Sequence, residues 1–160
     1  TVPSTFSFTL SSNTAALGSL STSAVTAATA ITATFSTNAN NGWLAWVKSA
    51  NAALNSASTS DTIPSATYTT GSGNIVDLSA TSGYVLNVIA GTGTPTIATE
   101  YNGGTNTGGN FATTFKQIAS HNIPSNADTV TLTVKARATA TNKAATDYTD
   151  TLTVSAAGQF

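Results

Sequence analysis

The chain has 160 residues, with five Lys or Arg against six Asp or Glu, a formal net charge of −1, 33 Thr and 19 Ser. Five scattered cations cannot neutralise a run of phosphates, which excludes a basic nucleic-acid binder; no stretch approaches ~18 consecutive apolar residues, so no membrane-spanning helix is expected. The lack of cysteine removes disulfide scaffolds, thiolate zinc sites and Cys catalysis.

The elements in chain order are mostly strands. Phe6, Phe8 and Leu10 alternate with Ser7 and Thr9. From Ala24 to Thr37, Val25, Ala27, Ile31, Ala33 and Phe35 fall on one face, with Thr26, Thr32, Thr34 and Ser36 opposite. Such alternation describes a strand with one face in a core and one in water, and β-branched Thr suits the wet face. Trp43–Ser49 fits a strand in which Trp43 and Trp46 cannot both face inward. The longer run Trp43, Trp46, Val47, Ala50, Ala53, Leu54, Ala57 also fits helical spacing. The reading adopted is a strand over Trp43–Ser49 followed by a loop or short helix.

Further strands are predicted at Ile75–Leu78, Tyr84–Ala90, Thr96–Tyr101 and Phe115–Ser120, then across Val130, Leu132, Val134, Ala136 and Ala138, with a last one carrying Tyr148, Leu152 and Val154. Loop signals separate them at Asn40-Asn41-Gly42, Gly71-Ser72-Gly73-Asn74, Gly91-Thr92-Gly93 and between Asn102 and Asn110. Many short strands without intervening helical runs predict an all-β antiparallel β-sandwich. Residues 1–13 are assigned to an N-terminal donor-type strand extension and residues 14–160 to a single sandwich domain.

Little in the sequence points to chemistry. His121 is the sole histidine and lies among loop-forming neighbours, without a Gly-x-Ser-x-Gly elbow. Glu100 is the sole glutamate, and five scattered aspartates do not suggest the facing pair of a glycosidase. Asp147 and Asp150 lie three apart without a calcium-loop pattern. No catalytic residue, metal or cofactor is therefore assigned. None of the 14 Asn begins an Asn-x-Ser/Thr sequon. Lys48, Lys116, Lys135 and Lys143, among many Asn, leave room for a Lys–Asn isopeptide cross-link, with ordinary surface lysines as the simpler reading. Trp43, Trp46 and Tyr101 are the candidates for an aromatic contact surface towards a cell-surface glycan or host receptor.

The chain ends carry the functional reading. Thr1-Val2-Pro3-Ser4 has the character of a mature terminus after leader removal. The strand behind it could place Phe6, Phe8 and Leu10 in a neighbour's groove as donor anchors, by β-strand complementation; the simpler alternative is that they complete their own sandwich. At the other end, Ala144-Ala145-Thr146-Asp147-Tyr148-Thr149-Asp150-Thr151-Leu152-Thr153-Val154 resembles the ending of spore-coat-U-like and chaperone–usher-type pilus subunits. Asn41-Gly42-Trp43 and Thr62-Ile63-Pro64-Ser65 also look like blocks of secreted bacterial surface β-domains, although the disulfide of many family members is missing. The resemblance implies an incomplete immunoglobulin-like sandwich polymerised through an N-terminal donor strand. TasA-type filament subunits would imply the same outcome through a jelly-roll.

Together these readings predict a secreted, non-enzymatic structural subunit of an extracellular filament, pilus or surface coat whose partners are copies of itself. A carbohydrate-binding or adhesin module is the alternative. Nucleic acid is not among the expected partners.

Overall fold

Threonine alternating with small or apolar residues draws the chain into extended segments with one face to bury. In the computed structural model, which describes residues 1–68 and 74–160, these become thirteen strands: β1 (Phe6–Leu10), β2 (Thr26–Ala27), β3 (Ile31–Thr37), β4 (Trp43–Ser49), β5 (Ala53–Ser56), β6 (Asp61–Pro64), β7 (Val76–Asp77), β8 (Gly83–Ala90), β9 (Thr96–Ile97), β10 (Thr107–Gly108), β11 (Lys116–His121), β12 (Ser125–Arg137) and β13 (Leu152–Gly158). No helix occurs among the described residues. The predicted turn Gly71-Ser72-Gly73-Asn74 lies outside them except for Asn74.

Two antiparallel sheets make the layers. The first runs β1-β3-β12-β8, with β2 joining β12 beyond the end of β3. The second runs β13-β4-β11-β9. Their facing side chains form the core: Phe35, Trp43, Ala45, Val47, Ile118 and Val130 are all buried. The fold is thus all-β and sandwich-like, as the alternation predicts.

The outer face of β8 has a cover of its own. Val85 packs with Ala66, Val76 and Leu78 in a second, smaller cluster, which is why β8 is buried at six consecutive positions rather than at alternate ones. Its neighbour across the ladder is Lys135. This lysine, predicted to face water, is buried instead, and its ammonium donates to the carbonyls of Gly104 and Thr107. Burial pushes its pKa down.

The segment after β4 departs from its predicted loop or short helix. Ala52 adopts φ 50, and this bend returns the chain as the β5–β6 hairpin, in which Leu54 faces Ile63. Asp147 holds the hairpin's turn by accepting from Ser56 Oγ at 2.6 Å and from the Ser58 N–H at 2.8 Å.

Candidate functional site

β1 is the outermost strand of its sheet and pairs along one edge only, with β3. The register places Phe6 opposite Thr37, Phe8 opposite Phe35 and Leu10 opposite Ala33. Its two ends are pinned by hydrogen bonds. The Thr5 N–H donates to Asn38 Oδ1 at 2.8 Å, Asn38 Nδ2 donates to the Pro3 carbonyl at 2.7 Å, and the Ser11 N–H donates to the Thr32 carbonyl at 2.9 Å. Phe6 and Phe8 pack half-buried on the core, whereas Leu10 is 38% exposed. Between Leu10 and β2 the chain forms no strand, although Ala15, Leu17 and Leu20 lean on the core.

Beneath β1 runs a continuous stack. The Phe8 and Phe35 rings lie 5.2 Å apart at 19°, and Phe35 and Trp43 lie 3.9 Å apart at 7°. Trp43 Nε1 donates to Asp128 Oδ2 at 2.8 Å, and His121 Nδ1 meets the same oxygen at 2.6 Å. A bulge in β12 aims this carboxylate inward. The ladder to β3 slips between Ser125 and Asp128, with Ala127 at φ 62, the usual effect of an extra residue in one strand. Just before β4, a Cβ at Gly42 would stand 1.8 Å from the His121 carbonyl, and its φ is +71. Glycine alone lets the chain turn into β4 there.

A cavity of about 680 Å³ opens between the sheets at the far end of β1, with Leu10, Ile31, Val47, Leu86, Leu132 and Leu152 in its wall. It lies between β1 and β13, the outermost strands of the two sheets on this side. β13 pairs with β4 over its whole length, and Leu152, Val154 and Ala156 pack partly buried against the core. The seam between the layers is therefore filled at one end by the phenylalanines of β1 and left hollow at the other.

The remaining predicted site residues separate. Trp43 and Tyr101 have no exposed surface, while Trp46 points to the opposite face of β4 and is half-buried. The three-ring contact surface is consequently not assembled, because two of its members belong to the core. His121, read from its neighbours as a loop residue, ends β11 directly opposite Trp43. The partner missed by sequence reasoning is Asp128, seven positions on and turned inward by the bulge.

The carboxylates of the C-terminal region are occupied by hydrogen-bond donors. Asp150 accepts from the Asn51 N–H at 3.2 Å and from the hydroxyls of Ser49 and Tyr84. Burial, with Asp150 beside it, pushes the Tyr84 phenol up. Asp61 accepts from Tyr148 Oη, the Lys143 N–H and Asn142 Nδ2, and is held well below the usual carboxylate range. Asp147 is held down to about 2 from 3.8, chiefly by Ser56 and then Ser58. No group of three or more His, Asp or Glu able to hold a metal occurs among the described residues.

Both carboxyls bind fewer protons in the folded chain than in the unfolded one, so their contribution is present above about pH 4 and is lost as pH falls, through about 2 for Asp147 and lower still for Asp61. Urea midpoints measured against pH are expected to decline over that window. Asp147→Asn is expected to flatten part of the decline.

No helix is long and apolar enough to cross a membrane among the described residues. Comparison with protein-family models, with curated proteins and with solved structures finds no match.

Proposed function

We propose that the chain is a structural subunit of an extracellular filament, pilus or surface coat, polymerising by β-strand complementation with β1 as the donated strand. The carrying observation is the attachment of β1. It is an edge strand, joined to the sheet on one side only, with Phe6 and Phe8 filling the seam between the layers and a strandless connection behind it. Exchange keeps every β1–β3 contact and changes only which chain supplies the strand, the low-cost route of domain swapping.

The outer faces support repetitive packing. Thr and Ser keep the strands hydrated, while a net charge of −1 leaves little repulsion between copies. The role is mechanical, the partners are further copies of the same chain, and the site of action is outside the cell. The sugar-binding alternative has less support, because Trp43 and Tyr101 are core residues.

The test uses Ser7 and Ser36, which face each other across β1 and β3. Antiparallel partners lie at Cα separations of about 4.5–5.5 Å, within disulfide reach, and the chain has no other cysteine. Oxidised assemblies of the Ser7→Cys/Ser36→Cys chain are expected to run as a ladder of covalent multimers on a non-reducing gel. Filaments held by intrachain bridges alone would overturn strand donation. Monodisperse monomers of the intact chain under negative stain would overturn polymerisation itself.

A further inference from the structure

Outside the β1 seam, two functional groups converge on the side-chain nitrogen of one lysine. Lys116 Nζ donates to Asn110 Oδ1 at 3.1 Å and stands 3.5 Å from Glu100 Oε2. Glu100 is the only glutamate of the chain. A lysine, an asparagine and a carboxylate in this relation are the components of an amide-exchange reaction. We propose that Lys116 and Asn110 form an isopeptide cross-link, with Glu100 carrying the protons.

Anchoring of each group argues for a built site. Tyr101, next to Glu100, is fully buried, and its hydroxyl donates to the Asn110 backbone carbonyl at 3.1 Å. Phe111, next to Asn110, is also buried and stacks on Tyr84 with centroids 4.5 Å apart. On the other side of Asn110, Gly109 exchanges two backbone hydrogen bonds with Leu86, at 2.8 and 2.9 Å. A Cβ at Gly109 would stand 2.5 Å from the Tyr101 ring, so only glycine lets this segment lie so close to it. Lys116 opens β11, paired with Val47 in the second sheet. The reacting groups thus hang from ordered backbone on three segments, which is the condition for a high effective concentration.

At 3.5 Å from Nζ, the Glu100 carboxylate is placed to take a proton from the Lys116 ammonium and free the amine for attack. The amine nitrogen then attacks Asn110 Cγ, forming the new C–N bond, while Glu100 polarises the amide oxygen. Glu100 passes its first proton to the departing amide nitrogen and then relays the second from Nζ to the same nitrogen. The old C–N bond breaks and the nitrogen leaves as ammonium. Glu100 ends as it began, and no oxidant or external co-reactant is consumed.

The intact protein is expected to weigh less than its sequence by one ammonia, with tandem mass spectrometry placing the bond between residues 110 and 116. Glu100→Gln, which keeps the size of the side chain but not its proton chemistry, is expected to restore the sequence mass, as is Lys116→Arg. Ammonia loss that persists in Lys116→Arg would locate it elsewhere, for example at an Asn-Gly step, and overturn the proposal. A full-mass wild-type chain, folded by circular dichroism after prolonged incubation, would overturn it equally. Neither result depends on strand exchange.

Discussion

Trp43→Ala is expected to lower folding stability by about 3–5 kcal/mol, the range for removing a large aromatic from a core. Three losses coincide at this position. The indole ring is stacked on Phe35 at 3.9 Å, so the cavity would open under the ring that seats Phe8. Its N–H bond to Asp128 would go, leaving a buried carboxylate with His121 as its remaining side-chain partner. That carboxylate belongs to the first sheet and Trp43 to the second, so a tie between layers is cut as well. Urea titration should show a lower midpoint with an unchanged slope, the sign of lost stability rather than altered compactness. Trp46→Ala is the control. Its half-buried ring faces away from the core, and a cost of about 1 kcal/mol or less is expected. Equal effects at the two tryptophans would contradict the orientation of β4.

The parity of β4 was available in the sequence. Lys48 shares a face with Trp46, while Ala45, Val47 and Ser49 share one with Trp43. A lysine seldom faces a core, so its position alone marks Trp46 as the outward ring. Alternation in β1, β3 and β12 as far as Val134 was equally legible, because each of these stretches has one face in water or at a partly open seam. The pattern failed where a second layer covers an outer face, as at Val85 and Lys135. The β5–β6 hairpin was also hidden. Its turn has neither glycine nor asparagine and is held by Asp147, some ninety positions along the chain. The inward carboxylate of Asp128 depends on a bulge at Asn126-Ala127, and no local preference of these residues announces it. Long-range hydrogen bonding supplied what periodicity could not.

The second large effect is expected at the chain terminus. A chain beginning at Asn13 loses the strand that covers Phe35 and the hydrogen bonds to Asn38 and Thr32. β3 then becomes an open edge beside an apolar seam, the arrangement that natural sheets protect against chance pairing. If β1 is an interchangeable strand, the truncated chain should form no filaments and should recover stability from a separate peptide of residues 1–12. A ligand that binds only the folded state at about a hundredfold excess over its dissociation constant adds roughly 2.7 kcal/mol. For a domain of this size that corresponds to a rise in thermal midpoint of roughly 5–10 °C. The rise should saturate with peptide concentration and vanish for a peptide carrying Phe8→Asp, because a charge cannot replace the ring stacked on Phe35. Filaments from the truncated chain would show that assembly runs through another surface. A midpoint that ignores the peptide would show that the seat cannot accept a strand from outside, which a donor-strand polymer requires of every subunit it adds.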